Sequence, residues 1–133
     1  MEIENNAQGS FDEVLIEEGF YVLKFQNEEE TMVSYKRDIN KRFIQFHFCL
    51  KGKGLFVFNQ GNYTLNVTEE NSLLLFNTQV DLPLYLELSQ SSSVVSVVMT
   101  LRKFHTLFTS EANYIPFLST DNQEKKYYAQ EPF

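Results

Sequence analysis

Between residues 19 and 100 the chain keeps a period of two. Tyr21, Leu23 and Phe25 alternate with Val22 and Lys24, and Tyr63, Leu65 and Val67 alternate with Thr64 and Asn66. Successive side chains of a strand leave opposite faces, so this pattern is that of half-buried strands. β-type runs recur at 21–25, 31–35, 43–50, 55–58, 63–67, 72–76, 84–88 and 94–100. Turn formers separate them: Asn27-Glu28-Glu29-Glu30, Lys51-Gly52-Lys53-Gly54, Asn59-Gln60-Gly61-Asn62, and the polar segments 68–71 and 89–93. Eight short strands with hairpin chemistry between them predict an all-β sandwich or barrel with antiparallel pairing. The run 72–76 (S-L-L-L-F) is continuously apolar after Ser72, as in a strand buried on both faces.

The centre of the pattern is 43–58, F-I-Q-F-H-F-C-L-K-G-K-G-L-F-V-F. Alternation sets Gln45, His47 and Cys49 on one face and Ile44, Phe46, Phe48 and Leu50 on the other. After the glycine turn, Leu55 and Val57 face one side and Phe56 and Phe58 the other; the pattern does not say which pair points inward.

After Thr100 the period changes. Leu101, Phe104, His105 and Phe108 follow helical spacing, with Arg102 and Lys103 on the opposite side, so 101–109 is expected to be a short helix docked on the strands. Pro116 excludes a continuous helix through 114–118. Residues 1–18 are polar and acidic apart from Phe11, Val14, Leu15 and Ile16, a patch suited to a short helix or to an arm on the barrel.

Composition narrows the function classes. The chain has 133 residues and a net charge of −7, a poor average field for nucleic acid. The 36–42 connection holds four basic residues and is read as a solvated loop in preference to an anion site. One cysteine, Cys49, allows no internal disulfide. The first ten residues lack the basic and apolar regions of a signal peptide, and 94–99 is too short to span a membrane, so a cytoplasmic protein is expected. The triplets at Asn62 and Asn66 are then chance matches to a glycosylation acceptor.

No nucleophile–histidine–acid spacing, phosphate loop or H-E-x-x-H motif is present. His47 has three readings: a hydrogen-bonded core histidine, a pocket-lining group touching a small ligand, or a metal ligand. With only two histidines, a metal site would have to draw on carboxylates. Gln45 offers a donor and an acceptor together, and its burial without a partner would cost about 1–3 kcal/mol. An inward Gln45–His47 pair therefore needs partners in the wall, a water or a bound molecule. Cys49 reads as a small buried hydrophobe, and His105 as a packed, hydrogen-bonded histidine.

The run 46–54, F-H-F-C-L-K-G-K-G, followed by N-S-L-L-L-F at 71–76 and by V-S-V-V-M-T-L-R-K-F-H-T-L-F at 95–108, resembles the cupin barrel. More narrowly, it is similar to the N-terminal sensing domain of AraC-type transcription regulators. The resemblance spans about 35–128 and implies a double-stranded β-helix, or jelly-roll barrel, with short C-terminal helices. It implies an arm at 1–18, a barrel at 19–100 and a helical segment at 101–133 that begins the dimerisation and linker region. Metal-binding cupins carry a glutamate where Gln45 stands, paired histidines at Ile39 and Lys41, and a third histidine near Leu82, so no metal and no other cofactor is expected. The resemblance implies a non-enzymatic domain that binds a small-molecule effector and forms a homodimer, with helix 101–109 and the tail as dimer surfaces. DNA would be read by a helix-turn-helix domain absent from this chain, which ends about where the linker would begin. The candidate ligand residues are Gln45, His47 and Cys49 with Phe56, Phe58 and Tyr63. A metal-dependent cupin enzyme and a carbohydrate-binding jelly roll are the alternatives.

Overall fold

A computed structural model describes residues 7–58, 61–107 and 127–132. Parts of the 59–62 turn, the end of the helix, 114–118 and most of the tail lie outside the described residues. The elements run β1 (Ala7–Gln8), β2 (Asp12–Glu17), β3 (Phe20–Asn27), β4 (Val33–Arg37), β5 (Phe43–Lys51), β6 (Lys53–Phe58), β7 (Tyr63–Thr68), β8 (Asn71–Phe76), β9 (Leu84–Leu88), β10 (Ser92–Thr100), α1 (Leu101–Leu107) and β11 (Tyr127–Pro132). Two sheets form, of order β1-β4-β9-β6-β7 and β11-β8-β5-β10-β3-β2. Every pairing is antiparallel except the short β1–β4 contact.

The period of two decides what lies between the sheets. Tyr21, Leu23 and Phe25 of β3, Val94 and Val98 of β10, and Leu73 and Leu75 of β8 face Tyr35, Phe56, Val67 and the three leucines of β9 across one core. A second, smaller cluster lies on the outer side of the six-stranded sheet. There Phe104 of α1 covers Ile44, Phe76 and Met99, with Phe46 and Leu74 at its border. Phe76 is therefore buried although it points away from the barrel interior, and β8 is buried on both faces at that end, as its sequence predicts.

The turns follow glycine and asparagine chemistry. Gly52 has φ +75°, and a Cβ there would lie 2.0 Å from Ser92 Oγ and 2.9 Å from Ser92 Cα, so β5 turns directly into β6. The turn predicted at 27–30 starts on a residue that is not on the surface. Asn27 is buried; its amide donates to the carbonyls of Thr31, Leu88 and Ser89, and its Oδ1 accepts from the Glu29 N–H.

The Phe11–Ile16 patch is not a helix. Asp12–Glu17 pairs with β3 as an edge strand, with a bulge between Leu15 and Glu17, while Phe11 packs on Phe25 at a ring distance of 5.1 Å. Beyond α1, Tyr127–Pro132 is a strand rather than a helix, antiparallel to β8. The outer edge of β8 would otherwise present an unpaired ladder, and β11 supplies its hydrogen bonds.

Candidate functional site

The face carrying Gln45, His47 and Cys49 points into the barrel, and the wholly apolar face of β5 points out. His47 is fully buried, and Gln45, Cys49 and Phe56 are equally enclosed. Pairing register supplies the partners. β10 sets Ser96 directly opposite His47, and β8 sets Leu73 on its other side.

These groups form a closed hydrogen-bond chain. Gln45 Nε2 donates to the Leu82 carbonyl at 2.7 Å, which turns its Oε1 toward His47 Nε2 at 2.9 Å. A carbonyl oxygen only accepts, so Nε2 carries the proton and Nδ1 is the acceptor. The Ser96 hydroxyl donates to Nδ1 at 2.5 Å. From the opposite sheet the Phe56 ring closes on the imidazole, with centroids 4.3 Å apart. Both ring nitrogens are thus occupied and one ring face is covered.

Burial sets the proton affinity of this histidine. With no carboxylate in contact, desolvation alone pushes His47 from 6.5 down to about 3. The imidazole stays neutral at physiological pH. Burial also pushes the Cys49 thiol up, so it stays protonated; its Sγ lies 3.4 Å from the Gly52 carbonyl and 3.5 Å from that of Lys51.

The structure brings Gln45, His47 and Phe56 into one contact group and places Cys49 farther along β5 at the hairpin. Phe58 and Tyr63 do not join them. They face each other at the outer end of the β6–β7 pair with centroids 6.0 Å apart; Phe58 is half-buried and Tyr63 exposed. Among the described residues no three histidine, cysteine or carboxylate side chains converge as a metal site. Ile39 and Leu82, two of the positions compared with metal-ligand positions, are core side chains.

Sequence reasoning missed Ser96. A polar residue on the inward parity of V-V-S-V-V, between Val94 and Val98, was the signal available. It also missed a groove of about 890 Å³ beside α1, at the end of the six-stranded sheet where β5 begins and β8 and β10 finish. That groove runs between α1, the β4–β5 and β8–β9 loops and the β2–β3 turn, and Lys41, Arg42, Arg102 and Lys103 line it.

No family model matches this chain, and no curated protein matches it in sequence. Solved structures do match in fold. An RmlC-like cupin protein from Desulfovibrio desulfuricans superposes with a TM-score of 0.51 at 15% identity, over 68% of this chain and 80% of that one. The cupin domain of Cnp3 from Schizosaccharomyces pombe gives 0.48 at 14% identity, over 73% and 68%. ToxT from Vibrio cholerae gives 0.48 at 13% identity; the match covers 85% of this chain and 40% of the length of ToxT. The fold is that of the cupins: an all-β jelly roll with one short helix among the described residues. No helix among the described residues is long and apolar enough to cross a membrane.

Proposed function

We propose that this chain is the effector-sensing and dimerisation domain of an AraC-type transcription regulator, and that its barrel interior is a scaffold rather than a catalytic or metal site. The observation that carries the non-catalytic reading is the closed chain from Leu82 through Gln45 and His47 to Ser96. A general base must exchange a proton near working pH. His47 has both nitrogens engaged and is held neutral by burial. A metal ligand must present a free lone pair, and the Nδ1 lone pair already accepts the Ser96 hydroxyl. The contact between His47 and Phe56 joins the two sheets at this level, so the effector is read elsewhere on the domain than between Gln45 and His47.

The regulator assignment is supported by the sequence runs at 46–54, 71–76 and 95–108 on a cupin-type barrel. In this reading the protein acts in the cytoplasm as a homodimer through α1 and the segment after it. DNA is contacted by a domain outside this chain. Effector binding shifts the protein between two arrangements by its differential affinity for them. Leu107, exposed at the end of α1, is available to such an interface.

Two measurements test the proposal together. Fused to a DNA-binding domain that binds its operator only as a dimer, the chain is expected to restore operator binding. Elemental analysis of the purified protein is expected to find no stoichiometric metal. A strictly monomeric fusion that fails to bind the operator sinks the regulator reading, and stoichiometric iron, zinc or manganese sinks the metal-free one.

A further inference from the structure

We infer that the groove beside α1 is a binding site for a small organic anion with an apolar, ring-sized body, such as an aromatic carboxylate. Its use as an effector site rests on the sensing-domain reading above; the binding itself does not.

The argument begins with charge. The chain is acidic overall, at −7, yet this groove gathers Lys41 and Arg42 from the β4–β5 loop and Arg102 and Lys103 from α1, against the single carboxylate of Glu18. Lys103 is ion-paired with Glu17. No ion pair engages Lys41, Arg42 or Arg102 among the described residues. Set against Glu18 in the lining and against Asp81, whose Oδ1 accepts from the Lys41 N–H, these three cations still leave a net positive charge at the groove, and the low-dielectric wall behind them focuses it.

The lining is partly apolar. Phe43 and Phe76 are among the lining residues, so a ligand that fills the groove needs an apolar body as well as a charge. Thr78 also lines it, and its hydroxyl oxygen is buried with no hydrogen-bond partner among the described residues. The volume is within the range of small-molecule sites, about 300–1,000 Å³.

The walls are fixed before any ligand arrives. Leu101 N–H donates to the Arg42 carbonyl at 3.2 Å, Thr100 N–H to the Gly19 carbonyl at 2.9 Å, and Lys41 N–H to Asp81 Oδ1 at 2.8 Å. These bonds hold the β4–β5 loop, the β2–β3 turn and the start of α1 in one frame, which limits the ordering cost of binding.

The test is titration of the isotope-labelled chain with 2-naphthoate, followed by amide chemical shifts. The expected result is saturable binding with shifts at residues 41–43, 78 and 100–102. Naphthalene-2-methanol, which keeps the ring and lacks the charge, and acetate, which keeps the charge and lacks the ring, are each expected to bind at least about 10-fold more weakly. The double variant R42Q/R102Q is expected to weaken naphthoate by about 10-fold while its spectrum stays that of the folded protein. Lys24→Gln, on the outer face of β3 and outside the groove, is expected to change nothing. The inference is overturned by no saturable binding, by shifts centred on His47 and Phe56, by equal affinity for the alcohol, or by an unchanged Kd in the double variant. None of these outcomes bears on dimerisation or metal content, so the sensing-domain reading stands or falls separately.

Discussion

A neutral histidine sealed in a barrel makes folding stability depend on pH in a direction that can be worked out. His47 is held at about 3 in the folded chain, against about 6.5 when unfolded. Above 6.5 neither state binds the proton. As pH falls through 6.5 the unfolded chain takes one up and the folded chain does not, so stability is full at high pH and is lost as pH falls, down to about 3. Between pH 7 and pH 5.5 this single site costs about 1.3 kcal/mol of stability. That window avoids the isoelectric point near 4.8, where solubility is poorest. The assay is urea unfolding followed by tyrosine emission, since the chain has seven tyrosines and no tryptophan. Other groups add their own pH dependence to both proteins, so the quantity to read is the stability of wild type minus that of His47→Gln at each pH. That difference is expected to be smaller at pH 5.5 by about 1.3 kcal/mol. The His47 ring signals are expected to stay at neutral positions throughout. A difference that does not change with pH, or ring signals that titrate near 6, would refute the argument that burial governs this residue.

Three further outcomes follow from the packing. Ser96→Ala leaves His47 Nδ1 buried without a donor and is expected to cost about 1–3 kcal/mol in urea unfolding. Gly52→Ala drives a methyl group into Ser92 at a backbone angle that favours glycine; it is expected to cost at least about 2 kcal/mol and to lower the thermal midpoint. Phe104→Ala empties the cluster that α1 makes with Ile44, Phe76 and Met99; it is expected to cost about 3 kcal/mol and to raise hydrogen exchange in α1 more than in β5.

Much of the architecture was legible because strands declare their faces locally. Tyr21, Leu23 and Phe25 point inward as their alternation requires, and Gly52 marks the turn that only its backbone freedom permits. The pairing of Gln45 with His47 was legible for the same reason, being two residues apart on one strand. Their other partners were not. Ser96 lies 49 residues from His47, and only the β5–β10 register brings them together; register is a property of two strands, and periodicity describes one. The groove was harder still, since it is assembled from four chain segments between Glu18 and Thr106. Arg42 and Arg102 each read as solvated in their own neighbourhoods, and only the fold makes them neighbours. The apolar outer face of β5 escaped interpretation because α1 covers one end of it and leaves Leu50 exposed at the other.

The edge strand β2 bears on how this protein avoids sticking to itself. Val14, Leu15 and Ile16 stand exposed in a row on an open ladder, a combination that invites a second chain to add as a strand. Their flanks oppose it. A two-fold antiparallel pairing centred on Leu15 would set Glu13 against Glu17 and Asp12 against Glu18, carboxylate against carboxylate on both sides. The bulge at Ile16 bends the same edge out of a straight register. Arg37 and Lys103 already pair with Glu13 and Glu17, so the facing of Asp12 with Glu18 and the bulge are what discourage a second copy from adding along this edge.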